Sequence, residues 1–177
     1  RQGLDKPKTE QYGIFLKNLL TKGELGESLR YPGRSVTDTI MTNSKVSAVP
    51  GGLALLIGLV IGVLLGIIAA LNRNKWPDYL VMFIAIIGIT VPVFVLAAVL
   101  QYVFTVKFQV LPTTGWGKPE NIILPVAVMC LGTIATYARY VKSNMLDVLG
   151  QDYILTAEAK GVDRFHVIKD HVLRNAF

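Results

Sequence analysis

The sequence holds a single cysteine, Cys130, which excludes a disulfide scaffold and any zinc site built on cysteines. Charge is scarce as well: charged residues are 17% of the chain, against about 25% in an average soluble domain. The scarcity is local. Residues 46–138 hold only Arg73, Lys75, Asp78, Lys107, Lys118 and Glu120, six charges in 93 residues. Such clustering excludes disorder, which needs charge and low hydrophobicity throughout, and an ordinary soluble domain has no use for apolar runs of this length. There is no Gly-xxxx-Gly-Lys-Ser/Thr phosphate loop. Gly117-Lys118 lacks both the earlier glycine and the following hydroxyl residue, so the chain itself is not expected to bind or hydrolyse ATP. Nor is there a block of five like charges or a basic stripe interleaved with aromatics. The net charge of +6 therefore does not point to nucleic acid.

Chemistry-bearing constellations are missing too. His166 and His171 stand five apart and share no helix face with a cysteine or a carboxylate pair, so no metal site is read there. Asp152 and Glu158 read as a helix cap and a surface charge rather than an acid–base pair. Cys130 reads as a small apolar residue inside a helix. No nucleophile stands beside a base, which leaves a membrane enzyme as the weaker rival.

What is present is three apolar runs, and with them an all-α, polytopic membrane bundle. Residues 46–71 carry no charge and at about 1.5 Å per residue are long enough to cross roughly 30 Å of hydrocarbon. Residues 79–106 form a second uncharged run, and a third span, shorter and more polar, is read over residues 121–142, uncharged as far as Ala138 before it meets Arg139 and Lys142. Between the first two lies a tight polar loop, Asn72-Arg73-Asn74-Lys75-Trp76-Pro77-Asp78. Residues 107–119 form an irregular loop with Pro112, Gly115, Trp116, Gly117 and Pro119. Trp76 and Trp116 then lie near membrane–water boundaries. Lys and Arg flank the two sides in similar numbers, so charge does not orient the bundle, although three spans put the N-terminal segment and the C-terminal tail on opposite faces. Residues 1–45 are amphipathic, with Tyr12, Phe15, Leu16, Leu19 and Leu20 at helical spacing. They read as a helix lying on the membrane surface or packed on its own protein.

Within the spans, Gly58, Gly62 and Gly66 form a row every fourth residue, a groove for close approach of another helix. Gly88 and Pro92 remove a side chain and a backbone donor within one turn, which predicts a kink or local unwinding; such a break is either a pathway lining or the ordinary proline of a membrane helix. No ionisable residue lies centrally in a span, which argues against an ion channel or secondary carrier, the rival of a different class. Thr90, Gln101, Tyr102 and Tyr137 are the polar candidates for a lining.

Beyond Lys142 the composition changes. Residues 152–161 read as a short helix with Asp152 as N-cap. Lys160 complements its C-terminal dipole, and Gly161 takes the left-handed position after its end. Asp163 caps a second helix in which Phe165, Ile168 and Val172 share a face. Helix, glycine turn and helix together make a small docking element, too short to be stable alone.

This tail resembles the EAA loop of ATP-binding-cassette importer permeases. Leu155-Thr156-Ala157 stands where that family has Glu-Ala-Ala, Gly161 follows, and His171-Val172-Leu173-Arg174 replaces an Ile-x-Leu-Pro run. The departures are similar to the oligopeptide, dipeptide and nickel group, whose variant matches Asp152, Tyr153, Thr156, Ala157, Ala159, Lys160 and Gly161, then His171, Leu173, Arg174, Asn175 and Ala176. Gly3-Leu4-Asp5-Lys6-Pro7, Gly26-Glu27-Ser28-Leu29, Leu111-Pro112, Gly115-Trp116-Gly117 and Ile123-Leu124-Pro125 look like the same group. The chain starts at Arg1 and stops at Phe177 inside a helix pattern. The resemblance therefore implies an interior segment of the first of two permease subunits, with one helix expected before it and two after it.

The resemblance implies further roles. Asp152, Thr156, Ala157, Ala159, Lys160, Gly161, Asp163, His171, Leu173 and Arg174 would dock on a separate ATPase. ATP and Mg would be held by two ATP-binding subunits, with no cofactor on this chain. A second permease subunit would complete a heterodimer in the lipid bilayer. An extracytoplasmic substrate-binding protein would deliver short peptides, or nickel or another small solute. Residues 143–177 would be cytoplasmic, and residues 1–45 and 107–120 would face outside.

Overall fold

In the computed structural model, which describes residues 5–176, the described residues form helices and one isolated bridge, Glu27 to Ser35, with no strand. Gly3 and Leu4 of the N-terminal resemblance lie outside that range. The chain divides into two units, Arg1–Val49 and Pro50–Phe177.

In the first unit, α1 (Lys8–Lys22) ends at Gly23, whose φ of 68° lets its N–H close back on Asn18 and Leu19. Leu16 and Leu19 are half-buried, while Tyr12, Phe15 and Leu20 stay exposed. The five apolar residues thus do not form one buried face within this unit. α2 (Val36–Leu71) starts ten residues ahead of the apolar run. Ser35 explains the early start: its Oγ accepts the N–H of Asp38, a side-chain cap at the first turn. Hydropathy locates the lipid-compatible part of a helix, whereas capping locates its beginning.

In the second unit, α2 presents small residues inward and large ones outward. Ala54, Gly58, Gly62, Gly66 and Ala70 recur every fourth residue and are buried, while Leu55, Leu56, Val60 and Leu64 are more than half exposed. That inversion suits lipid, where apolar side chains gain nothing by leaving the surface and close backbone contact holds helices together. The small face meets α5 (Glu120–Leu149). A Cβ on Gly58 would stand 2.6 Å from the Thr133 Cβ, and one on Gly66 2.7 Å from the Val141 Cβ. The glycine row thus lies against α5 with no room for a side chain, and because the contacts advance from Thr133 to Val141 the two helices run in the same direction.

The second apolar run is not one helix. α3 (Trp76–Thr90) and α4 (Val93–Gln101, continuing as a π-helix over Tyr102–Lys107) meet at 103°. Val91 and Pro92 between them are extended, with ψ of 124° and 135°. Pro92 has no N–H to give and its ring disfavours a helical Val91, so the break falls there. Gly88 takes no part in the break. It lies inside α3 against α5, where a Cβ would come within 2.9 Å of the Leu131 carbonyl oxygen. Contacts step backwards along α5 as α3 and α4 advance: Asp78 meets Lys142, Gly88 meets Leu131, and Ala97 and Gln101 share a cavity with Leu124 and Glu120.

α5 itself extends past the expected end at residue 142 to Leu149, before Gly150. Two short helices follow, α6 (Asp152–Ala159) and α7. The latter is α-helical at Arg164–His166, a π-helix over Val167–Leu173 and α-helical again at Arg174–Ala176.

Candidate functional site

The tail is seated, not trailing. Ile154 and Ala157 of α6 and Val167 and Val172 of α7 form one buried cluster with Val141 and Met145 of α5 and Ala70 of α2. Met145 and Val172 have no exposed surface, and Ile154 and Val167 are 1% exposed. Asn144 adds a polar tie, donating from Nδ2 to the Ala176 carbonyl at 3.3 Å. The inner side of the tail is therefore fixed to the ends of two long helices.

Its outer side is a rigid turn. Val162 donates its N–H to the Ala157 carbonyl at 3.2 Å and Gly161 donates to Glu158 at 2.9 Å. This is the paired bonding of a Schellman end, with Lys160 at the C-cap and Gly161 at φ 78°. Nothing lies within 4 Å of where a Gly161 Cβ would be, so the glycine is required by its backbone conformation and not by crowding within this chain. Asp163 caps α7 as expected, its Oδ2 accepting the Phe165 N–H at 3.1 Å. Tyr153, Leu155 and Phe165 are 45%, 59% and 65% exposed around this turn.

Two details differ from the sequence reading. Asp152 is not the N-cap: Gln151 is, with extended backbone, and Asp152 occupies the first helical turn where its charge faces the positive dipole end. The buried face of α7 is Val167 and Val172, not Phe165, Ile168 and Val172. The π-helix has a wider turn, which brings residues five apart onto one side.

The expected docking residues therefore separate into two sets. Ala157 is buried in the socket, and Leu173 and His171 are half-buried beside it. Asp152, Thr156, Ala159, Lys160, Gly161, Asp163 and Arg174 are exposed. The Thr156 hydroxyl donates to the Asp152 carbonyl at 2.9 Å, so it is occupied within α6. Of the candidate lining groups, Tyr137 is part of the α2–α5 contact, a Gly62 Cβ standing 2.9 Å from its own. Gln101 donates from Nε2 to the Thr113 carbonyl at 3.1 Å. It borders a cavity of about 400 Å³ with Thr113, Glu120, Asn121 and Met129.

One pair has no signature in the sequence. Asp78, 3% exposed, accepts the Lys142 ammonium on Oδ1 at 2.5 Å and the Asn74 N–H on Oδ2 at 3.1 Å. Asn74 itself sits at φ 60°, so the carboxylate also pins a left-handed turn between α2 and α3. Asp78 reads in the sequence as a loop residue, and a partner 64 positions away leaves no local signal. Among the described residues no group of three or more His, Cys, Asp or Glu is placed to hold a metal.

These features define a class: a helical membrane protein built from close-packed spans, carrying a small rigid helix–turn–helix on one end. Residues 62–177 match the model of the family described as binding-protein-dependent transport system inner membrane component, and the chain belongs to that family. It is 41% identical over 173 residues to the dipeptide transport system permease protein DppB of Bacillus subtilis, a match over 98% of this chain and 56% of that protein. It is 38% and 39% identical over 175 residues to the oligopeptide transport system permease proteins OppB of Haemophilus influenzae and Salmonella typhimurium, each over 98% of this chain and 57% of the relative. The chain thus spans a little over half the length of these relatives.

Proposed function

We propose that this chain is part of the permease of an ATP-driven importer of short peptides and couples to a separate ATPase through residues 152–174. The observation that carries the reading is the two-sided tail. Its inner face is locked into the Met145 socket, while its outer face offers Gly161 and exposed apolar side chains to a partner. A lever that transmits force needs both a fixed and a free face. The relatives named as dipeptide and oligopeptide permeases support the cargo class.

α2, the broken pair α3–α4 and α5 make three crossings. The backward order of contacts along α5 supports a broken span over a re-entrant loop, because α4 arrives at the start of α5 and does not return to its end. With the tail docked on a cytoplasmic ATPase, residues 143–177 are cytoplasmic, and the crossings then put residues 107–120 on the opposite side, where a substrate-binding protein delivers cargo. A second permease subunit completes the pathway, and two ATP-binding subunits hold ATP and Mg; this chain contributes no catalytic group. Closure of the ATPase dimer supplies the differential binding energy that moves the bundle between two states.

Affinity purification of the complete permease tests the assembly. A second permease and two ATPase subunits should come with it, and a protein that purifies alone as a working carrier would contradict the reading. Crosslinking from positions beside Trp116 should capture the binding protein.

A further inference from the structure

We infer that Asp78 and Lys142 are positioning residues for transport, a strap that makes the start of α3 move with the coupling tail. The inference rests on the proposed coupling role of the tail. Lys142 lies on α5 between Val141 and Met145, the two α5 side chains buried in the tail socket. Asp78 stands in the first turn of α3, the helix that ends at the Val91–Pro92 break. Their ion pair joins these places directly, with side chains 4% and 19% exposed.

The geometry favours a strap over a surface ion pair. Both carboxylate oxygens are used: one takes Lys142, the other fixes the left-handed Asn74 turn that leads out of α2. Three elements thus converge on one buried carboxylate. A buried charge that loses its partner is strongly unfavourable, whereas an exposed pair opens freely. The pair therefore stays closed while the bundle moves. α3 cannot slide along α5 at this end, and displacement of the tail passes to α3. At the other end of α3, two extended residues replace the helix, so the movement is taken up as a change of angle at Pro92. Near that end Gly88 lies against the Leu131 carbonyl oxygen and the small Ala135 side chain, where a larger residue would wedge α3 from α5 and obstruct the change of angle.

The test uses the complete importer in proteoliposomes. For Asp78→Asn, the assembled complex should hydrolyse ATP normally while peptide moved per ATP falls on the order of tenfold, an ordinary size for coupling between sites. The exchanged pair Asp78→Lys with Lys142→Asp restores the tie between α3 and α5 but not the acceptor for the Asn74 N–H, so it should recover part of the lost ratio. It also decides the matter if the single variant assembles poorly. An unchanged ratio in Asp78→Asn, or an exchanged pair that assembles but stays uncoupled, would overturn the strap.

A second readout is independent of cargo. Spin labels at Tyr79 and Lys169, both exposed, should keep one separation with and without ATP in the wild-type complex and acquire a nucleotide-dependent one in Asp78→Asn. A wild-type separation that changes with ATP overturns the strap. A complex that keeps this separation fixed but imports no peptide refutes the proposed cargo and leaves the strap standing.

Discussion

Gly62 lies so close to Ile134 that a Cβ on it would stand 2.9 Å from the Ile134 carbonyl oxygen and 3.1 Å from the Ile134 Cα. The obstacle is backbone, which cannot rotate aside, so substitution forces α2 away from α5. Gly62→Val is expected to cost about 1–3 kcal/mol, the usual range for overpacking. Gly52→Val, where nothing lies within 4 Å, should be neutral to packing. Detergent thermal unfolding of the two variants checks the contrast.

Gly161 calls for the opposite behaviour. Its surroundings are empty, so the cost of a side chain is the left-handed backbone alone, roughly 1–2 kcal/mol for most residues and less for Asn. Gly161→Asn and Gly161→Asp should both leave the membrane helices folded, by far-ultraviolet circular dichroism. Gly161→Asp should abolish uptake and loosen the ATPase. Normal uptake by that variant would remove the turn from the coupling role.

The Met145 socket separates tail docking from span folding. Met145 is fully buried among Ile154, Ala157, Val167 and Val172. Met145→Ala should cost about 2–5 kcal/mol. The loss should be concentrated where α6 and α7 seat: limited proteolysis is expected to cut residues 150–166 much faster, with α2 and α3 protected as before.

Much of this was legible. The glycine row was, because a four-residue repeat on a helix is also a spatial repeat, and the three glycines do face α5. The break near Pro92 was, because the missing N–H is a local fact, although its size of 103° was not. The Gly161 and Asp163 ends were legible for the same local reason. Residues governed by distant partners were not. Asp78 looked like a loop charge until α5 brought Lys142 to it. The face of α7 is not legible at a period of 3.6, because a π-turn places Val167 and Val172 together. Asp152 was off by one position because Gln151 takes the extended conformation that ends the loop.

Asp163 offers a smaller, local check. Its carboxylate holds one backbone N–H at the start of α7, and Asp163→Ala should lose about 0.5–2 kcal/mol of helix stability. Amide hydrogen exchange should rise in the first turn of α7 and stay unchanged in α5.

The central claim is that movement of an ATPase reaches the spans through this tail and moves peptides. The most direct measurement is ATP hydrolysis by the reconstituted complete importer with its binding protein, compared across di-, tetra- and longer peptides and nickel, in wild type and Gly161→Asp. Hydrolysis should rise with peptide and not with nickel in the wild type, and lose that response in the variant. Hydrolysis indifferent to peptide, or a Gly161→Asp complex that responds as the wild type does, would contradict the account.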